Sequence, residues 1–143
     1  MIYLLFVRAG VIRRLGISNC YDPKMFQRLY NDAHVKPTVL QNRLYRDTGY
    51  DAELRALCRE RGITYQSFWT LTANPHILAS APVQAAATRL GATPAQVWFK
   101  FVSRAGCVPL TGTTSGAHMA EALGASSLQV TQSEADAIAA LIQ

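Results

Sequence analysis

The chain has 143 residues, of which half are apolar and 16% are charged, so we expect one folded domain and exclude a disordered or collagen-like chain. The formal net charge is +5, from eleven Arg and three Lys against nine acidic residues. Because the positive residues are scattered and never form a run, this charge is weak evidence for a nucleic-acid-binding protein. Binding of a phosphate-bearing small molecule, or plain solubility, explains it equally well.

The cysteines and the N-terminal residues bear on the cellular compartment. Cys20, Cys58 and Cys107 are odd in number, far apart and without zinc-ligand spacing, so we interpret them as small apolar residues of a reducing compartment. The apolar opening, residues 1–7, is too short for a signal sequence, and no stretch approaches the roughly 20 apolar residues of a membrane span. We therefore expect a soluble, cytoplasmic protein with no metal site and no membrane or nucleic-acid partner.

The first strand is predicted over residues 14–18, and a helix follows it. Asp22 is suited to cap this helix, with Pro23 at its first position. Apolar residues at helical spacing predict a buried stripe made of Met25, Phe26, Leu29 and Tyr30.

The second strand is predicted over residues 38–41. Asp51 would cap the next helix and Gly62 would end it. One face of this helix would be buried, through Leu54, Leu57 and Cys58.

A third strand is predicted over residues 63–68, followed by a looser stretch at 72–81 and an Ala-rich helix at 82–90. Thr93 and Pro94 then begin a helix whose apolar face consists of Val97, Trp98, Phe101 and Val102.

The last strand is predicted over residues 107–110, and a short helix from Ser115 to residue 123 follows it. Residues 131–134 form a capping box for a final helix, which would bury Ile138, Leu141 and Ile142. Four successive strand–helix units predict an α/β fold with a parallel sheet, in one domain over residues 1–143.

Polar or aromatic residues follow each predicted strand, and ligands of parallel α/β sheets bind beyond the carboxyl ends of the strands. Ser18-Asn19 and Gln41-Asn42 offer groups that could hold a planar amide. Phe68-Trp69 offers aromatic faces for stacking. Residues 111–114 form a small hydroxyl-rich loop that enters a helix at Ser115, where free N–H groups favour an anion.

Each of these segments also has an ordinary structural explanation. A Ser-Asn pair after a strand is usually a turn or a cap, and Gln41 could merely bind a carbonyl group of the sheet. Phe68 and Trp69 could belong to the core, and Thr-Gly-Thr-Thr could be a tight turn. The four segments together describe the groups that would bind a nucleotide: a stacked ring, a held amide and a bound phosphate.

Five segments, in chain order, resemble the aldo-keto reductase family. Residues 10–20, GVIRRLGISNC, resemble its Gly-x-Ile-Arg-x-Ile-Gly-Val-Ser-Asn segment, and residues 93–98, TPAQVW, resemble its Thr-Pro-Ala-Gln-Val helix. The other three are VLQN at 39–42, RGI at 61–63 leading to Phe68, and VPLTGT at 108–113. The resemblance covers essentially the whole chain. It implies the C-terminal half of a (β/α)8 barrel, with the fifth to eighth strands and helices outside them.

The resemblance also implies a nicotinamide cofactor, NADP or NAD, and the residues that would bind it. Ser18, Asn19 and Gln41 would hold the carboxamide, Phe68 would stack on the ring, and Trp69 and Leu71 would border the pyrophosphate. The adenosine phosphates and the adenine would fall to Thr111, Gly112, Thr113, Ser115, His118 and Glu121.

Two departures from the family pattern bear on the choice of cofactor. Phe68-Trp69-Thr70-Leu71 stands where Tyr-Ser-Pro-Leu is more common, so the stacking ring lacks a hydroxyl group. His118 stands where an Arg is usual, and a histidine is fully charged only in acid. A preference for NADP over NAD therefore does not follow from the resemblance.

The Tyr, Lys, Asp and His that carry out proton transfer in this family belong to the first half of its barrel, so no catalytic residue is assigned here. A full barrel takes about 250 residues, about 200 at the low end. A gene fragment or truncated chain, a split enzyme that needs its other half, and a free-standing degenerate domain each fit this length.

Two functional hypotheses follow from these observations. The chain supplies the cofactor-binding side of an oxidoreductase that reduces carbonyl compounds, or it is a non-catalytic half-barrel that associates with itself or with a partner. Either hypothesis predicts exposed barrel edges near Leu15, Ile17, Val108 and Leu110, which we expect to leave an apolar patch.

Overall fold

The computed structural model describes residues 6, 7 and 9–142. Most of the apolar opening at residues 1–7 therefore lies outside the described residues. No helix of the described part is long and apolar enough to cross a membrane.

Four short parallel strands form one sheet, in the order in which they occur along the chain. They are β1 (Gly16–Ser18), β2 (Val39–Arg43), β3 (Thr64–Phe68) and β4 (Cys107–Pro109). Helices connect the strands, as parallel pairing requires. The predicted α/β fold with four parallel strands is confirmed, and β1 and β4 are the edge strands of the described sheet.

The helices follow the predicted order closely, with one addition. They are α1 (Pro23–Asp32), α2 (Ala52–Glu60), α3 (Pro75–Leu78), α4 (Ala81–Leu90), α5 (Pro94–Arg104), α6 (Gly116–Gly124) and α7 (Gln132–Ala139). Short 3₁₀ segments occupy Arg46–Asp51, Ala125–Ser127 and Ala140–Ile142. The one-turn helix α3 lies in the stretch predicted to be loose.

Local capping signals in the sequence account for four helix starts. The carboxylate of Asp22 accepts hydrogen bonds from the first turn of α1, and Ser115 Oγ accepts one from the first turn of α6. Thr93 and Thr131 each begin a complete capping box. Gly62, just beyond α2, has a φ of +65°, which glycine adopts without strain.

Asp51 occupies the predicted N-cap position of α2, but the prediction that its side chain caps the helix is wrong. Asp51 has a φ of +50°, and its side chain makes no capping hydrogen bond. Its carboxylate instead accepts from Asn42 Nδ2 at 2.7 Å and from the Tyr65 hydroxyl at 2.9 Å. Buried donors on two neighbouring strands outcompete the exposed N–H groups of the first turn, which water can satisfy.

Alternation along the strands gives the sheet a covered face and a free face. Leu40, Asn42, Tyr65 and Ser67 are buried on the covered face, against the helices. The core continues through the fully buried Trp98 of α5, whose ring stacks on Phe101 with centroids 5.3 Å apart. The intervening positions form what we call the free face: Ser18, Val39, Gln41, Arg43, Thr64, Gln66, Phe68 and Val108.

The prediction of an apolar patch at the barrel edges is wrong, because the free face is mostly polar. Most of its residues are polar or charged, and Leu15, Ile17 and Leu110 are half-buried rather than exposed. Val108 alone of the four residues named for that patch is exposed. Ile17 escapes solvent because its side chain packs against the core on the covered face.

Two predicted apolar stripes are only partly buried. On α1 Phe26 is buried, but Met25 is 61% exposed and Leu29 is 40% exposed. After α7 the side chain of Ile142 is buried and Leu141 is exposed. Met25 and Leu29 therefore form an exposed apolar face on α1 in the part of the chain that the structure describes.

Candidate functional site

The carboxyl ends of β1 and β2 bring Ser18, Asn19 and Gln41 together. Ser18 pairs with Gln41 in the register, and the Asn19 N–H donates to the Gln41 carbonyl oxygen at 3.0 Å. Asn19 has a left-handed φ of +58°, which asparagine tolerates better than most residues. Its side chain donates to Ser18 Oγ at 3.2 Å and accepts from the Tyr21 hydroxyl at 3.1 Å. Three predicted site residues thus form one polar cluster.

Gln66, which the sequence analysis did not single out, extends this cluster. It pairs with Gln41 across the free face, and Gln41 Nε2 donates to its Oε1 at 2.9 Å. This bond fixes the Gln41 amide and directs its donor sideways. The side-chain oxygen of Gln41, Oε1, and the Ser18 hydroxyl can then hydrogen-bond to an amide group of a ligand.

A buried asparagine holds the loop after β1. Asn42 Oδ1 accepts from the Cys20 N–H at 3.0 Å, and Asn42 Nδ2 donates to the Cys20 carbonyl oxygen at 2.7 Å. Asn42 is fully buried. The clamp fixes the residue next to Asn19, so the cluster is held by the core rather than by its own exposed bonds.

A second buried asparagine joins the loops after β2 and β3. Asn74 Nδ2 donates to the carbonyl oxygens of Leu44, at 2.7 Å, and Thr70, at 3.1 Å. The Trp98 indole N–H also donates to the Thr70 carbonyl oxygen, at 2.8 Å. These buried bonds fix the carboxyl end of β3, where the aromatic pair lies.

Phe68 and Trp69 differ in their surroundings. Phe68 ends β3 on the free face and is half-buried, whereas Trp69 is 56% exposed. Trp69 has a φ of +53°, a strained value for a bulky residue. Such strain is retained only where surrounding contacts enforce it, as the neighbouring Thr70 contacts do here.

Two adjoining cavities form one groove along the ends of β3 and β4. The larger, about 480 Å³, begins at Phe68 and Trp69, and the smaller, about 220 Å³, ends at His118 and Glu121. They share Leu71, Phe99, Thr111 and Gly112, and we call their union the strand-end groove. Predicted site residues that line it are Phe68, Trp69, Leu71, Thr111, Gly112, Thr113, His118 and Glu121. Ser18, Asn19, Gln41 and Ser115 are not among its lining residues.

The loop after β4 leads to the N-terminus of α6. The Ser115 N–H donates to Thr113 Oγ1 at 3.1 Å, and Ser115 Oγ accepts from the His118 N–H at 3.4 Å. Within the described chain, the amides of residues 111–114, 116 and 117 have no acceptor. Amides of this kind at a helix start can bind an anion.

Comparison with solved structures finds close matches of fold. The aldo-keto reductase of the silkworm Bombyx mori is 19% identical with a TM-score of 0.83, and the match covers 96% of this chain and 44% of that one. An aldo-keto reductase from Brucella melitensis is 18% identical with a TM-score of 0.84, covering 97% and 52%. The aldose reductase of Schistosoma japonicum is 18% identical with a TM-score of 0.83, covering 97% and 44%.

The chain has the fold of half an aldo-keto reductase barrel. It spans about half the length of the solved structures that it matches. Protein-family models and curated proteins give no match to the sequence. The silkworm aldo-keto reductase has also been solved as a complex with NADPH; that structure is 16% identical with a TM-score of 0.79, and the match covers 96% of this chain and 45% of that one.

Two residues that line the strand-end groove, Phe99 and Gln96, were not predicted as site residues from the sequence. Phe99 is buried and lines both cavities, although its position in α5 shows only helical periodicity. Gln96 accepts from the Thr93 N–H in the capping box and donates through Nε2 to the Glu121 carbonyl oxygen at 3.0 Å. Gln96 therefore ties the start of α5 to α6, which explains why the Thr-Pro-Ala-Gln segment lies beside the groove.

Burial and hydrogen bonding determine the state of several titratable groups in the described half-barrel. Burial, and then the Asp51 carboxylate, raise the pKa of Tyr65 far above its usual range, opposite to what a proton donor needs. Lys36 donates to the Asn31 carbonyl oxygen and Lys100 to that of Ser126, both away from the groove. Burial likewise raises the pKa of Cys58 to about 11, so its thiol is unreactive. The described residues contain no cluster of three or more His, Cys, Asp or Glu side chains that could hold a metal ion.

Proposed function

We propose that this chain supplies the cofactor-binding side of an aldo-keto reductase-like oxidoreductase, whose complete barrel reduces carbonyl compounds with NADPH or NADH. In this proposal β1 to β4 are the fifth to eighth strands. The observation that carries it is the continuous strand-end groove, which runs from an aromatic pair to a helix N-terminus. The two cavity volumes together fall in the range of small-molecule sites. The NADPH complex of the silkworm enzyme, which has the same fold, supports a nicotinamide cofactor.

The free-face cluster fits the nicotinamide end of the cofactor. Gln41 and Ser18 offer an acceptor and a hydroxyl to the carboxamide, and the buried clamp on Cys20 holds Asn19 beside them. Phe68, at the adjacent strand end, stacks on the ring. The nicotinamide supplies the hydride when bound, and these residues orient it.

The other end of the groove fits phosphates and adenosine. Trp69 and Leu71 border the pyrophosphate, and residues 111–114 bind phosphate oxygens through free amides in the loop that enters α6, with the Ser115 hydroxyl beside them. His118 and Glu121 meet the adenosine. His118 and Glu121 are the ionisable residues in the lining of the smaller cavity. The groove therefore presents no lysine or arginine to a 2′-phosphate.

Cofactor titration tests this proposal. We expect the fluorescence of NADPH to change saturably as the full chain is added, and Phe68→Ala to weaken binding about tenfold or more, because stacking is lost. Met25→Ala, on the exposed face of α1, is the matched control and should bind as the wild type does. A folded wild-type chain that leaves the fluorescence unchanged at millimolar concentration would overturn the proposal.

A second candidate function is that of a non-catalytic association domain. It is favoured by the exposed Met25 and Leu29 side chains of α1 and by the edges of β1 and β4 that no other strand of the described residues pairs with. The partner would be a second copy of this chain or a first-half barrel. This function requires no cofactor, so the titration above separates the two candidates.

A further inference from the structure

Arg43 lies at the end of β2, on the free face, where its cation is surrounded by aromatic rings. Its guanidinium carbon is 4.1 Å from the ring centre of Trp69, 5.1 Å from that of Tyr45 and 6.0 Å from that of Phe68. Phe68 is also its partner in the strand register. The N–H groups of a guanidinium lie in its own plane. Stacking on a ring therefore leaves them free to bind two oxygens at once.

The hydrogen-bonding capacity of this guanidinium is unused in the described chain. Arg43 Nε is buried and has no acceptor. The ion pairs of the described residues are Arg28–Asp32 and Arg89–Glu134, and neither involves Arg43. Buried donors in folded proteins nearly always have a partner. An acceptor from another molecule would therefore complete the contacts of Arg43.

The position of Arg43 distinguishes between the anions that could supply this acceptor. Arg43 is two residues beyond Gln41 on the same face and pairs with Phe68, so it lies at the nicotinamide end of the proposed site. The phosphate-binding loop follows β4, two strands away, and neighbouring strands are about 4.8 Å apart. The proposed phosphate-binding amides thus lie about 10 Å from Arg43. Trp69, the ring nearest to Arg43, borders the proposed pyrophosphate site, so the test must also measure cofactor affinity.

We propose that Arg43 binds an anionic group on the carbonyl substrate, a carboxylate or a phosphate, beside the nicotinamide. This inference rests on the proposed function, because the substrate is placed by the cofactor. The aromatic rings around Arg43 hold its guanidinium in one orientation. The enzyme that contains this half-barrel would accordingly prefer acidic carbonyl compounds, such as 2-oxo acids or sugar phosphates, to neutral ketones.

The test measures affinities of small carbonyl compounds for the full chain saturated with NADP⁺, by saturation-transfer NMR. The probes are 2-oxobutanoate against butanone, and dihydroxyacetone phosphate against dihydroxyacetone. We expect at least one charged probe to bind about tenfold or more tightly than its neutral counterpart, as a charge-assisted pair implies. Whichever charged probe shows the preference identifies the anionic group. Arg43→Gln should abolish the preference, whereas Arg28→Gln, which removes an exposed charge from α1, should keep it.

Each other outcome decides the matter. Equal affinity of charged and neutral probes overturns the inference, as does an Arg43→Gln chain that keeps the preference. If Arg43→Gln weakens NADP⁺ and not the acids, Arg43 binds the cofactor and the inference is wrong. A wild-type chain that does not bind NADP⁺ refutes the proposed function itself. If Arg43→Gln does not fold, the Arg43 Nε–H resonance of the wild type decides, since it must shift when the preferred charged probe is added and not when its neutral counterpart is added.

Discussion

Asn42 Nδ2 donates to Asp51 Oδ2 over 2.7 Å, and both residues are buried. The same oxygen accepts from the Tyr65 hydroxyl at 2.9 Å. Through its other contacts Asn42 holds both backbone groups of Cys20. Asn42 therefore joins the Asp51 carboxylate to the loop that carries Asn19, and Asp51 extends this network to Tyr65 of β3.

Replacing Asn42 with Ala should lower the free energy of unfolding by about 2–4 kcal/mol, because a buried carboxylate loses one of its donors. The measurement is urea denaturation of the purified chain. Asn31→Ala is the control, since Asn31 is exposed on α1 and should change stability by less than about 0.5 kcal/mol. Equal effects of the two substitutions would mean that the Asn42 contacts do not stabilise the fold.

Local signals explain how much of the fold could be predicted from the sequence. Thr93, Thr131 and Ser115 cap helices through bonds within three residues, so the sequence pattern contains all the partners. Asp51 also belongs to a residue type that favours helix caps, but its side chain bonds to Asn42 and Tyr65, nine and fourteen residues away. The local pattern contains neither of these partners. Periodicity marks an apolar face but does not show whether another element covers that face.

The candidate site divides in the same way. The residues that line the groove beyond β3 and β4 follow directly from the rule that ligands bind at strand ends. Arg43 and Gln66 could not be predicted by this rule, because their roles depend on the strand register. The register pairs Arg43 with Phe68 and Gln66 with Gln41. Asn74 lies in a stretch without regular periodicity, and its bond to the Leu44 carbonyl spans 30 residues.

The choice between NADPH and NADH should depend on His118. We predict that the wild type binds the two with affinities within about tenfold, and that His118→Arg improves NADPH binding about tenfold with no gain for NADH. An arginine there would supply the fixed charge that the smaller cavity lacks. His34→Arg adds the same charge at an exposed position and serves as the control. Equal gains for both cofactors would contradict a contact with the 2′-phosphate.

Stability in acid should depend on Glu134. The Arg89 guanidinium donates to both carboxylate oxygens, at 2.6 and 2.7 Å, and together with Thr131 it lowers the pKa of Glu134 from 4.5 to about 2. A lowered folded-state pKa stabilises the fold above about pH 4.5, and this contribution is lost as the pH falls towards 2. Glu134→Gln should therefore be less stable than the wild type at pH 6 and equally stable near pH 2, by thermal melting. Arg89→Gln should show the same convergence, and a gap that does not change with pH would contradict this assignment.

The purified chain should not reduce carbonyl compounds. Lys36 lies over the ring of Tyr30, 5.5 Å from its centroid, and among the described residues no hydrogen bond joins a tyrosine hydroxyl to a lysine. General acid catalysis typically contributes about 10²–10⁴ in rate. The measurement is NADPH oxidation with a panel of aldehydes and ketones. Turnover by the chain that is lost when one of its own tyrosines is changed to Phe would show that it contains a proton donor.

The chain should not persist as a monomer at micromolar concentration. Met25 and Leu29 lie uncovered on α1, and β1 and β4 each present an unpaired edge in the described sheet. We expect the chain to dimerise, to aggregate, or to fold only with a first-half barrel, and sedimentation velocity distinguishes these outcomes. Met25→Glu should shift a self-associated chain towards monomer, because the charge would be buried in the contact. Leu123→Glu, at a 77% exposed position on α6, should not. A wild-type chain that sediments as one monomeric species and melts cooperatively would show that its polar free face is compatible with an independent fold.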